Sequence, residues 1–119
     1  MAVVDDDDSF LRAIGRLLRA AGLEPVGYSS AKAFLADTTH FAPDCLVLDI
    51  HLGGMSGLDL RRQLTALGST TPVIFVTAHD EPEIGEEAQQ VGCSAYLRKP
   101  VPGQLLLEAI NKAVHPGRQ

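Results

Sequence analysis

The sequence predicts an α/β fold in which a five-stranded parallel sheet is wound in both directions and covered by helices on both faces. Two observations support this prediction: short apolar runs alternate with helical patterns five times along the chain, and the connections between them are short. Such an alternation builds a parallel sheet, because each crossover holds one helix. Right-handed crossovers and two-sided coverage then require the sheet to wind both ways from a switch point.

Length and composition indicate one domain that lacks the charge of a nucleic-acid binder. The 119 residues fit a single domain, which we expect at 1–115, with 116–119 as the start of a linker or tail. The formal net charge is −5, so we expect no direct binding to nucleic acid. The N-terminus has no basic-then-apolar signal, and no apolar run approaches membrane-spanning length. We therefore expect a cytoplasmic protein in which Cys45 and Cys93 are reduced thiols.

The first half of the chain predicts three strands and two helices. Apolar residues recur at helical spacing over 10–21, after an acid run and Ser9 that suit a helix N-terminus, and Gly22 suits the end of this helix. A second helix follows Ser29 or Ser30, either of which can cap it. The predicted strands of this half lie at 1–5, 25–28 and 45–49.

The second half predicts three helices and two strands. The third helix begins near Ser56 and stops at Gly68, and its leucines recur at i, i+4 and i+7. These leucines are Leu60, Leu64 and Leu67. The fourth helix contains Pro82 and Gly85, so we expect it to be the least rigid. The last helix has more apolar positions than one buried stripe needs, so some of its side chains must face outward. The segments are strands at 72–76 and 94–98 and helices at 81–91 and 102–114.

Polar side chains follow four of the five predicted strands at their carboxyl ends. Asp5 and Asp6 follow the first strand, Asp49 ends the third, Thr77 follows the fourth and Lys99 the fifth. Ligands of open α/β sheets bind at this edge. Three carboxylates brought close together repel one another, and a hard divalent cation such as Mg²⁺ cancels that repulsion. With a hydroxyl and an ammonium group beside it, the set suits phosphoryl transfer onto a carboxylate.

In these motifs and in their order, the chain resembles the receiver domain of a two-component response regulator. The resemblance covers essentially the whole chain, and segment 29–35 is most similar to receivers of the NarL/FixJ type. The motifs are Val3-Val4-Asp5-Asp6-Asp7, Leu46-Val47-Leu48-Asp49 with Met55-Ser56-Gly57 behind it, Val76-Thr77-Ala78, and Tyr96-Leu97-Arg98-Lys99-Pro100. The resemblance implies a flavodoxin-like (CheY-like) sheet with strand order 2-1-3-4-5 and five helices.

The resemblance also implies a phosphoacceptor and a cofactor. Asp49 would accept the phosphoryl group, and Mg²⁺ would be bound directly by Asp6 and Asp49. Asp5 would act mainly through water, and the backbone carbonyl of His51 would complete the protein ligands. Lys99 would pair with the acyl phosphate.

A switch is implied at the same edge of the sheet. Thr77 would move to hydrogen-bond a phosphoryl oxygen, Tyr96 would rotate with it, and Pro100 resembles the family's cis proline. The chain departs from the family at 52–53, where Leu-Gly stands in place of Met-Pro. Together with Gly54, this glycine should loosen the acceptor loop.

The implied function is a signalling switch and not an enzyme, since the domain would catalyse only its own phosphorylation and dephosphorylation. A histidine kinase or phosphotransfer protein would donate the phosphoryl group. The surface made by the fourth helix, the fifth strand and the last helix would then control an effector domain outside this segment. In similar regulators that domain is usually a helix-turn-helix module that regulates transcription. A phosphorylation-dependent homodimer through the same surface is the simplest outcome.

Other classes of function are open alternatives. A stand-alone receiver would act without an attached effector, and an interaction module would act without phosphorylation. An aspartyl-phosphate phosphatase needs a second carboxylate two residues past its nucleophile, where this chain has His51. A flavin-binding module needs a loop that cradles phosphate after the first strand, where the acids at 5–8 would repel it.

Overall fold

Five parallel strands form one sheet in the computed structural model, which describes residues 1–37, 43–78 and 81–115. The strands are β1 (Ala2–Val4), β2 (Val26–Tyr28), β3 (Leu46–Asp49), β4 (Val73–Thr77) and β5 (Ala95–Arg98). Their order in the sheet is β2-β1-β3-β4-β5, which confirms both the predicted fold class and the predicted strand order. The register pairs Val4 with Leu48 and Leu48 with Phe75, so the carboxyl ends of the central strands lie level at one edge.

Five helices cover the two faces of this sheet. They are α1 (Asp8–Ala20), α2 (Ala31–Asp37), α3 (Gly57–Ala66), α4 (Pro82–Val91) and α5 (Gly103–Val114). Strand side chains alternate between the faces: Val4 and Phe75 pack in one cluster with α2, α3 and α4, whereas Val3 and Ile74 pack in another with α1 and α5. Each face of the sheet is therefore buried, as the near-continuous apolar strands predict.

The helix ends follow from capping side chains. Asp7, not Ser9, caps α1, because its carboxylate accepts hydrogen bonds from the backbone N–H groups of Ser9 at 2.9 Å and Phe10 at 3.3 Å. Ser30 accepts from the N–H of Ala33 at 3.0 Å at the start of α2. Ser56 caps α3 in the same way, through the N–H of Asp59 at 3.1 Å.

Two helices differ in how they bury their apolar residues. In α3 the side chains of Leu60 and Leu64 are buried, but Leu67 is 74% exposed, which corrects the predicted stripe. The reason is that the helix ends at Ala66, so Leu67 is the cap residue and leaves the buried face. In α5, Leu105 is 45% exposed, as the excess of apolar positions predicts.

Two expectations concern segments outside this description. The predicted linker or tail at 116–119 and the predicted fading of the second helix over 38–40 both lie outside the described residues. Within the described ranges, each helix is too short or too polar to span a bilayer.

Candidate functional site

Three carboxylates meet at the carboxyl edge of the sheet. Asp5 follows β1 directly and Asp49 ends β3, and the pairing of Val4 with Leu48 places the two side by side. One carboxylate oxygen from each of Asp5, Asp6 and Asp49 lies within 4.8 Å of the others. Asp5 and Asp49 are only 1% and 6% exposed, while Asp6 is exposed. The structure thus brings together the three acids that the sequence predicts as metal ligands.

The surroundings of Asp49 disfavour the negative charge of its carboxylate. Burial raises the pKa of the Asp49 carboxyl, and the neighbouring charge of Asp5 raises it further. The ammonium of Lys99 and the backbone N–H of His51 offset part of this effect. A cluster of oxygen ligands with excess negative charge fits a hard divalent cation, because Mg²⁺ prefers oxygen donors and would neutralise the repulsion.

Lys99 bridges the two buried carboxylates. Its Nζ atom lies 2.6 Å from Oδ2 of Asp5 and 3.5 Å from Oδ2 of Asp49. Burial lowers the pKa of Lys99, but its hydrogen bonds and charge interactions with the two carboxylates outweigh burial and raise the pKa above its usual value. Its backbone N–H donates to the carbonyl of Thr77 at 2.8 Å, and the Lys99–Pro100 peptide bond is cis. Lys99 therefore carries a positive charge beside the carboxylate of Asp49.

The loop after Asp49 is folded back onto the site. The backbone N–H of His51 donates to Oδ1 of Asp49 at 3.2 Å, so the main chain of His51 lies beside the carboxylate while its side chain is exposed. Gly57 donates its N–H to the carbonyl of Ile50 at 2.9 Å. A Cβ atom at Gly57 would overlap the backbone carbonyl of Asp49, so the close approach of α3 to Asp49 needs glycine here.

The two predicted switch residues lie on adjacent strands. Thr77 ends β4 and is fully buried, and Tyr96 in β5 is half-buried. The register pairs Phe75 with Tyr96 and Thr77 with Arg98, so Thr77 and Tyr96 are diagonal neighbours on one face of the sheet. That is the face covered by α4, since Phe75 and Tyr96 pack in the cluster that includes Ala88.

Phe10 is a residue of the site that the sequence does not single out. Its ring centroid lies 4.2 Å from Nζ of Lys99. In the sequence, Phe10 is one apolar position among many in α1. The available signal is its place in the first turn of the helix that follows the acid run, which brings it close to the sheet edge.

Comparisons with known proteins find similar sequences over almost the whole chain. Residues 1–111 match the family model of the response regulator receiver domain. The chain is 39% identical to the response regulator protein TmoT of Ectopseudomonas mendocina, over 94% of this chain and 51% of TmoT. It is 32% identical to the transcriptional regulatory protein FixJ of Azorhizobium caulinodans, over 98% of this chain and 57% of FixJ. The chain thus spans about half the length of these curated relatives.

A solved structure is similar over nearly the whole chain. It is a response regulator receiver domain protein from Clostridium thermocellum, with a TM-score of 0.89 and 32% sequence identity. The similarity covers 97% of this chain and 93% of that protein. The fold and the sequence therefore point to the same family.

Proposed function

The chain belongs to the response regulator receiver domain family, and from this membership we propose that Asp49 accepts a phosphoryl group from a histidine kinase or a phosphotransfer protein. The observation that carries the proposal is the carboxylate of Asp49, buried at the carboxyl edge of the sheet beside Asp5 and Lys99. As a receiver domain, the chain is a signalling unit, and the chemistry that we assign to it is its own phosphorylation and dephosphorylation.

The proposed transfer forms one bond and breaks another. A carboxylate oxygen of Asp49 attacks the phosphorus atom of a phosphohistidine, and the phosphorus–nitrogen bond breaks. The electron pair of that bond passes to the donor imidazole, which takes up a proton, while Asp49 becomes an acyl phosphate. Lys99 keeps a positive charge 3.5 Å from the attacking carboxylate, where negative charge on the phosphoryl oxygens develops.

We assign the metal ligands to the same acidic cluster. Asp6 and Asp49 would hold Mg²⁺ directly, Asp5 would act mainly through water, and the backbone carbonyl of His51 would complete the set. When bound, the ion supplies charge neutralisation for the phosphoryl oxygens. Support comes from the convergence of the three carboxylates within 4.8 Å.

Acetyl phosphate or beryllofluoride, each with Mg²⁺, tests the acceptor. The parent protein should be modified at Asp49, and an Asp49→Asn variant should take up neither reagent. Asp59→Asn is the matched control, because Asp59 is an exposed carboxylate of α3 paired with Arg62 at 2.9 Å. Phosphate found on Asp59 or on a histidine would refute the assignment.

Metal binding is tested separately by titration with Mg²⁺. An Asp6→Ala variant should bind the ion much more weakly than the parent, because it loses a direct ligand. An Asp8→Ala variant should bind it almost unchanged, since Asp8 lies in the first turn of α1 outside the cluster. Equal affinity of Asp6→Ala and the parent would show that the ligand assignment is wrong.

We propose that the output of the domain is the surface made by α4, β5 and α5. Movement of Thr77 toward the phosphoryl group and rotation of Tyr96 would alter this surface, since both lie on the sheet face that α4 covers. The partner that we propose is an effector domain, most simply a helix-turn-helix domain that regulates transcription. The similarity to FixJ, a transcriptional regulatory protein, covers only 57% of that relative.

A further inference from the structure

The ammonium group of Lys99 has a third neighbour besides its two carboxylates. We propose that Phe10 is a positioning residue for Lys99 and holds its ammonium beside Asp49 through a cation–π contact. The inference rests on the roles proposed above for Asp49 and Lys99. The Nζ atom is 4.2 Å from the ring centroid of Phe10, well inside the range in which a ring face attracts a cation.

The backbone of Phe10 is held by the acid run. The backbone N–H of Phe10 donates to Oδ1 of Asp7 at 3.3 Å, and the N–H of Asp7 donates to Oδ1 of Asp5 at 2.9 Å. Asp5 in turn is the hydrogen-bond acceptor of Lys99 at 2.6 Å. A short series of hydrogen bonds therefore ties the start of α1, the carboxylate of Asp5 and the ammonium of Lys99 to one another.

The ring differs from the two carboxylates in that the reaction leaves it unchanged. Asp5 is shared between Lys99 and the proposed metal, and Asp49 becomes the acyl phosphate. Both anionic partners of the ammonium are thus altered when the site is loaded and phosphorylated. An aromatic ring is not a ligand for a hard cation, so neither metal binding nor phosphoryl transfer takes the ring of Phe10 away from the ammonium.

The half-buried setting strengthens the contact. The side chain of Lys99 is 17% exposed and Phe10 is half-buried, so the ring replaces water on one side of the ammonium. An aliphatic side chain would still pack against the methylene stem of Lys99, but it would offer no negative ring face to the charge. Aromatic character at position 10 is therefore what the proposal requires.

Substitutions of Phe10 in the full chain distinguish the effect of the ring's charge distribution from the effect of its shape. Phenylalanines with increasing numbers of ring fluorines keep the shape and weaken the negative face. The rate of phosphorylation by acetyl phosphate with Mg²⁺ should fall progressively along the series, and Phe10→Leu should lower it by about two- to tenfold. Phe10→Tyr should retain most of the rate.

A second readout reports the contact without any chemistry. The ε-methylene protons of Lys99 should show an upfield ring-current shift in the parent protein that is lost in Phe10→Leu. Leu11→Ala is the control, because Leu11 lies next in α1 and packs in the same apolar cluster. It should lower the melting temperature but leave both the phosphorylation rate and the shift of the Lys99 protons near their parent values.

The outcomes distinguish this inference from the function on which it rests. Equal rates along the fluorinated series, with the parent reacting at Asp49, would overturn the positioning role and leave the proposed function intact. Absence of the ring-current shift in the parent would also overturn it. A parent protein that takes up no phosphoryl group at Asp49 would refute the proposed function, and the positioning role would fall with it.

Discussion

Asp49, the proposed phosphoacceptor, shows how the burial of one carboxylate lowers the stability of the folded protein. Burial and the charge of Asp5 raise the pKa of its carboxyl, so the folded protein holds the ionised form less readily than the unfolded chain does. The raised pKa lowers the free energy of unfolding as pH rises from the usual carboxyl value through the value in the folded protein. The cost is complete once the pH exceeds the pKa of Asp49 in the folded protein.

An Asp49→Asn variant should therefore be more stable than the parent at neutral pH in the absence of Mg²⁺. We expect its melting temperature to be higher by a few degrees near neutrality. The difference should shrink as the pH falls toward about 4, where the unfolded carboxyl also becomes protonated. Melting curves recorded by circular dichroism between about pH 4 and neutrality measure the difference in melting temperature. A difference independent of pH would attribute the effect to packing instead of charge.

Gly57 is a second residue that decides the local structure, because it has no side chain. A Gly57→Ala variant should lose about 1–3 kcal/mol of unfolding free energy, because the new Cβ would overlap the carbonyl of Asp49. Gly53→Ala is the matched control, since no described atom lies within 4 Å of the Cβ position there. Its unfolding free energy should stay within about 1 kcal/mol of the parent. Urea denaturation compares the two, and an equal loss in both would contradict the steric account.

Among the helices, α4 has the weakest intrinsic support. Within the described part of the chain, no side chain caps its first turn, and Gly85 lies in its interior. It is held by the buried Ala88 and by an ion pair between Glu87 and Arg62 of α3. Both side chains of that ion pair are half-exposed, so the pair contributes little to the free energy of unfolding. These features suit the movement of α4 that we propose to accompany phosphorylation.

Gly85→Ala should stabilise α4 by about 0.5–1 kcal/mol, because alanine loses less backbone entropy in a helix and no described atom lies within 4 Å of the new Cβ. Amide hydrogen exchange in α4 should slow accordingly. Gly68→Ala provides a contrast, because it should destabilise the protein: Gly68 has φ of +83°, where an alanine is strained. Faster exchange in α4 of Gly85→Ala would show that the glycine has a packing role.

For the molecule as a whole, the proposed consequence of phosphorylation is a two-fold dimer through the surface made by α4, β5 and α5. This surface offers the exposed Leu105 and charges of both signs: α4 is acidic, with Glu83 and Glu86, while α5 carries Lys112. A two-fold axis can place opposite charges together, because each copy presents the same patch. The protein should be mostly monomeric when unmodified.

Sedimentation with and without beryllofluoride and Mg²⁺ tests the dimer. The mass should rise toward that of a dimer on activation, and Thr77→Ala should prevent the rise by removing the proposed link from site to surface. An unchanged mass at high micromolar protein would reject phosphorylation-driven dimerisation. Dimerisation that survives Thr77→Ala would reject the route through Thr77.

The architecture was predictable because its signals are local. Alternating apolar runs and helical spacing indicated all ten elements, whereas the strand order came from family resemblance, since periodicity does not reveal which strands are neighbours. The ends of the helices were harder to predict from the sequence. Several residues near 7–9 can cap α1, and the sequence could not choose Asp7 over Ser9. The exposure of Leu67 likewise depends on where α3 ends, which spacing alone does not show.

The convergence of the three acids was predictable from the sequence, but the contacts between the side chains at this edge of the sheet were not. Asp5, Asp6 and Asp49 converge as expected, because parallel strands end at a common edge. The hydrogen bond between Lys99 and Asp5 was not predicted, since the family resemblance implies only a pairing of Lys99 with the phosphate. The contact of Lys99 with Phe10 was also missed, because it joins the start of α1 to the end of the last strand.

The two cysteines of the chain offer a way to watch α4 directly. Cys45 is wholly buried, and burial raises its pKa to about 11, so its thiol should resist alkylation. Cys93 is half-buried and follows Gly92, whose carbonyl accepts a hydrogen bond from Arg61 of α3 at 2.9 Å. A fluorine-bearing thiol reagent should therefore label Cys93 first. Its resonance would report from the junction between α4 and β5, in the protein's own sequence and without an introduced residue.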